Sequence, residues 1–192
     1  EAFFNVKSDK SKPFTVRSSG LKIKALGTSF NVKAYPGDKT LTATLVEGKL
    51  TIEGKSKGKG SFRYSLNPRQ SMAFVKVAVH NDIVSEDGLL SGNSVDNNRK
   101  TVVPEIKSIQ LASNVNTALY TSWKDERWVI ERESLTDLVV MLERRYNVKI
   151  LYDRDEIKDL SFSGTIENET LEQLLNILKM SAPVKYEFGK GE

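Results

Sequence analysis

Four groups of residues have types and spacings that could support chemistry. The only histidine, His80, is the one imidazole available as a general base, yet no Gly-x-Ser-x-Gly elbow accompanies it. Gly54-x-x-x-Gly58-Lys59-Gly60 is close to a phosphate-cradling loop, but it is one residue short and ends in Gly where Ser or Thr would hold the metal. Asp153, Asp155, Glu156 and Asp159 supply the oxygen ligands of a calcium loop, while Lys158 and Gly164 occupy the places of its obligatory Gly and Glu. Tyr152, Phe162, Tyr186 and Phe188 are aromatics that could stack bases. No carboxylate pair lies in an apolar context that would raise a pKa for acid catalysis. We therefore expect no catalytic residue, no cofactor and no metal.

Those residues must be positioned by elements, and two periodicities divide the chain. From Phe14 to Ile52 the rule is alternation: Leu21, Ile23 and Ala25, then Thr28, Phe30, Val32 and Ala34, then Leu41, Ala43 and Leu45 on one face. Ser18-Ser19-Gly20, Pro36-Gly37-Asp38 and Glu47-Gly48 supply the reversals, which reads as an antiparallel meander. Phe62, Tyr64, Leu66 and the run from Met72 to Val79 extend it. The expected fold of residues 1–80 is an all-β antiparallel sandwich or roll of about seven strands. From Asn81 to Lys107 the composition turns to Asn, Asp, Ser, Gly and Pro, so residues 81–122 read as a linker or extended segment, with Ile109 to Leu119 a candidate for one more strand.

From Trp123 the sequence repeats itself at an offset of 36. Glu133-Ser134-Leu135-x-Asp137-Leu138-Val139-x-x-Leu142 aligns with Glu169-Thr170-Leu171-x-Gln173-Leu174-Leu175-x-x-Leu178. The leucines fall at helical spacing, Ser134 and Thr170 open capping boxes, and Asn147 and Pro183 mark the exits. Strands are expected at 128–130, 148–152, 162–166 and 184–188, which gives residues 123–192 a small α+β fold of βαβ-βαβ order. That order is shared with RNA-recognition modules, so a nucleic-acid-binding module is the alternative reading. Against it, their aromatic strand motif is missing and this part of the chain holds 11 basic and 15 acidic side chains.

The 192 residues exceed the size of one ordinary domain, and 39% hydrophobic with 28% charged residues describes a chain that folds. No apolar run approaches the roughly 18 residues of a spanning helix. Zero cysteines exclude disulfides and thiolate sites. Residues 1–80 carry 15 basic against 5 acidic side chains. Lysines 22, 24, 33, 49 and 76 mostly take the wet positions of strands, where they guard against edge-to-edge aggregation. The chain opens inside a strand and is expected to be a piece of a longer protein.

Several motifs together resemble the FecR family. They are Glu1 to Val6, Leu26-Gly27-Thr28-x-Phe30-x-Val32, Thr44-Leu45-Val46-Glu47-Gly48 followed by Leu50 and Ile52, and Leu66-x-Pro68-x-Gln70. Arg69 departs from the Gly or Asn that the family has after the proline. The likeness resumes at Trp123. It implies the periplasmic region of an anti-sigma regulator anchored in the inner membrane. That region would bind the signalling domain of a TonB-dependent outer-membrane receptor and relay to an extracytoplasmic-function sigma factor through an absent N-terminal segment. It also implies a C-terminal domain similar to the short secretin and TonB-receptor module. Receptor contact would then fall on the helix from Ser134 to Tyr146, through Leu135, Leu138 and Leu142 by resemblance and through Val140, Met141, Arg144 and Arg145 as side chains off the core stripe.

Overall fold

Glycine, proline and the period-two runs place eight strands in the first 77 residues of the computed structural model, which describes residues 1–9, 11–56, 60–77, 105–125 and 127–189. They are β1 (Ala2–Val6), β2 (Phe14–Ser18), β3 (Leu21–Ala25), β4 (Thr28–Lys33), β5 (Thr40–Glu47), β6 (Leu50–Ser56), β7 (Gly60–Leu66) and β8 (Gln70–Val77). A ninth, β9 (Glu105–Ser113), completes a sheet of order β1-β4-β5-β8-β9-β6-β3-β2, with β7 paired to β6. The chain divides into two compact units, Glu1–Thr117 and Ala118–Glu192.

The alternation is realised, but not as a meander. β2–β3 and β4–β5 are hairpins, whereas β3 pairs with β6 and β4 pairs with β1. Leu26 and Gly27 carry the chain from one half of the sheet to the other. There Thr28 Oγ1 accepts from the Leu26 N–H and donates to the Lys49 carbonyl, tying this crossing to the β5–β6 connection. Gly48 is required in that connection: its φ is +89° and a Cβ would lie 2.2 Å from the Gly27 carbonyl oxygen. The sheet curls, so that Phe4 of β1 and Phe14 of β2 meet with ring centroids 5.5 Å apart. One core fills the interior, with Ile23, Phe30, Leu41, Leu45, Leu50, Ile52, Leu66 and Phe74 fully buried. Thr44, expected on the wet face, is also buried and shares a 2.8 Å hydrogen bond with its cross-strand partner Ser71.

Two expectations need correction here. The segment 81–122 is not linker throughout, because β9 pairs along its length with β8 and touches β6 in parallel register at Ser56 and Ile106. Ile106 is 1% exposed, so this strand is part of the core. Nor is the sheet purely antiparallel, since β6–β9 runs parallel.

The second unit opens with a short helix α1 (Ala118–Thr121) and a 3-10 turn, Ser122–Lys124. β10 (Trp128–Ser134) follows, then α2 (Leu135–Tyr146), β11 (Ser161–Ile166) and α3 (Leu171–Ser181). Caps define both long helices. Ser134 Oγ accepts from the Asp137 N–H, and Thr170 with Gln173 forms the complete reciprocal box. Asn147, at φ 52°, ends α2 in the left-handed region. The four-strand βαβ-βαβ sheet is not formed among the described residues. β10 and β11 make a two-stranded antiparallel sheet, and residues 148–152 and 184–188 are in no strand. They keep the burial alternation of strands, with Val148, Ile150, Tyr152, Val184 and Tyr186 half-buried between exposed neighbours. What they lack is a ladder.

Candidate partner-binding site

The side chains proposed for receptor contact lie on α2, where the 3.6-residue period separates two groups. Leu135, Leu138 and Leu142 are at most 5% exposed and, with Val139, form the inward stripe. As the unit stands they are buried, so contact through them would need the unit to open. The remaining four differ among themselves. Met141 packs against the core, Val140 is half-buried, and Arg144 is exposed. The Arg145 guanidinium lies 5.5 Å over the Trp128 ring and donates to the Glu167 carbonyl, so it bridges the helix to the loop after β11.

Sequence reasoning missed the contacts that close the far end of α2. The Glu143 carboxylate accepts from the Ile150 N–H at 2.8 Å and lies 3.0 Å from Lys149 Nζ. The backbone donor first, then the lysine, hold its pKa below the ordinary 4.5. Tyr146 donates from its hydroxyl to the Glu169 carbonyl, and Tyr152 to that of Leu135. These tyrosine hydroxyls anchor the segments on either side of the helix. Burial raises the Tyr152 pKa.

The other candidates do not assemble. His80 lies outside the described residues, as do Gly58 and Lys59 of the glycine-rich stretch. Asp155 is ion-paired to Lys158, which leaves the proposed calcium loop a cation of its own, and no metal-ligating cluster occurs among the described residues. Phe162 is on β11 and packs into the core, while Tyr152, Tyr186 and Phe188 are on no strand, so no sheet face presents the four rings to a base. In the first unit Glu53 is held between Lys24 at 3.0 Å and Arg63 at 2.8 Å, and the Lys24 hydrogen bond first of all lowers its pKa. These are paired charges on a strand face.

The second unit also contains a cleft of about 400 Å³ along β11, bordered by Ile130, Leu138, Leu174, Ile177 and Leu178. The cleft is bordered largely by apolar side chains and lies beside a strand edge. The profile described as FecR protein matches residues 1–51, and that described as FecR, C-terminal matches residues 127–192. The chain belongs to the FecR family, whose members are regulatory anti-sigma factors. Comparison with solved structures finds a protein from Parabacteroides distasonis ATCC 8503, assigned provisionally as an anti-sigma factor, in crystal structures at 1.65 and 2.50 Å resolution. Both are 25% identical over 98% of this chain, covering 73% and 72% of theirs, with TM-scores of 0.68 and 0.67. No curated protein matches the sequence.

Proposed function

We propose that this chain is the periplasmic, signal-transducing region of an anti-sigma regulator anchored in the inner membrane. Its second unit receives the signalling domain of a TonB-dependent outer-membrane receptor. The response passes to an extracytoplasmic-function sigma factor through a segment outside these 192 residues. The observation that carries the reading is the match of the FecR C-terminal profile to residues 127–192, nearly the whole second unit. A fold of two units supports it, since one can dock a partner while the other transmits. No helix among the described residues is long and apolar enough to cross a membrane.

On this reading the leucines of α2 act as scaffold, and contact falls to the outward Val140, Arg144 and Arg145. Titration of the full chain with the purified receptor signalling domain should show saturable binding without turnover. Val140→Ser with Arg144→Glu should weaken it by about tenfold, roughly 1.4 kcal/mol, at an unchanged melting temperature. Affinity held within about threefold would take α2 out of the docking face. No binding by the unaltered chain would remove the receptor reading altogether.

A further inference from the structure

β11 is one edge of the two-stranded sheet: β10 pairs with one side of it, and no strand among the described residues pairs with the other. Every residue from Ser161 to Ile166 borders the 400 Å³ cleft, while β10 contributes only Ile130. Successive strand residues point to opposite faces, so a cleft bordered by all six runs along the edge and not under one face. The strand reads Ser-Phe-Ser-Gly-Thr-Ile, with no lysine, charge or proline of the kind that blocks uninvited pairing. Gly164, in register with Ile130, leaves a gap between Phe162 and Ile166 on the inward face, and a Cβ there would meet nothing within 4 Å. A glycine at such a point admits the close approach of another chain. The cleft wall continues onto α3 through Leu174, Ile177 and Leu178.

Charge defines what fits. Glu167 and Glu169 follow β11 directly and Glu172 begins α3, an acidic run at the C-terminal end of the edge. Glu169, which borders the cleft, accepts from the Glu167 N–H; Glu167 is 3.7 Å from the well-exposed Arg127 and its carbonyl accepts from Arg145, so three carboxylates are set against two guanidinium groups and the balance is acidic.

Resting on the receptor reading above, we propose that an extended segment of the docking partner adds to β11 as the third strand of this sheet. It seats one apolar side chain in the gap at Gly164 and carries a lysine or arginine where it passes Glu169 and Glu172. Backbone hydrogen bonds supply the affinity, and the gap and the acidic end supply the register.

The test is amide hydrogen exchange of the full chain, alone and with the receptor signalling domain. Amides of 161–166 should slow by about tenfold or more in the complex, because a paired edge exchanges only on opening. Gly164→Val, which has room for its side chain, should keep the melting temperature and weaken binding about tenfold; Glu172→Lys should weaken it and flatten its salt dependence. A complex that forms with exchange at 161–166 unchanged overturns strand addition and leaves the receptor reading standing. Absence of any complex overturns both. Dimers of the free chain with those amides already protected would assign the edge to a second copy and overturn the proposal.

Discussion

Arg69 shows how a single departure from a family pattern becomes a measurable strain. The turn Asn67-Pro68-Arg69-Gln70 is closed by the Gln70 N–H donating to the Asn67 carbonyl, and Arg69 occupies its third position at φ 63°. That is a type II turn, whose third position needs the left-handed region that Gly and Asn take most readily. Arg69→Asn should therefore stabilise the chain by about 0.5 to 1 kcal/mol and raise its melting temperature by a few degrees, read by thermal denaturation. Glu143 gives a pH-dependent counterpart. Its pKa is depressed in the folded state, so its stabilisation is complete above about 4.5 and is lost as pH falls through the folded value. Between about pH 6 and pH 3 the melting temperature of Glu143→Gln should fall less than that of the unaltered chain. The sequence marked Arg69 as unusual but held no sign of Glu143, because the carboxylate's donor is a backbone amide seven residues away.

At the scale of the element, the helices were legible and half the strands of the second unit were not. Helix signals are local: caps at Ser134 and Thr170 and leucine or valine at i, i+3, i+4 and i+7 contain all that is needed. A strand needs a partner, and the alternation at 148–152 and 184–188 reports burial without saying what pairs with the backbone. The same limit applied to the docking residues, where periodicity put leucines on one stripe but could not say whether it faced core or partner. Leu142, fully buried, should cost about 2 to 5 kcal/mol as Leu142→Ala. Ser134→Ala should cost about 1 kcal/mol through the lost cap. Chemical denaturation of both variants checks the ranking, and equal losses would show that the helix is held by its end and not by its stripe.

For the molecule as a whole, what escaped the sequence was connection order. Hairpins at Gly20 and Pro36-Gly37 were readable because their strands are neighbours in the chain. The insertion of β9 between β8 and β6 joins residues dozens of positions apart and leaves no local mark. Folding must close those loops before their contacts stabilise anything, so the first unit should refold in milliseconds to seconds, the range of β-rich topologies, as stopped-flow fluorescence would show. Deleting β9 should remove its ladder with β8 together with the buried Ile106 and uncover Phe74, leaving residues 1–77 without a cooperative transition. The sheet order has a mechanical consequence as well. β1, β5 and β9 point one way while β4 and β8, interleaved with them, point the other. Tension applied between Glu1 and Ser113 thus pulls the first and last strands along their own axes in opposite senses. The ladders between them are loaded together, in shear, so a tug carried along this chain would pass through the first unit before it peeled the unit apart.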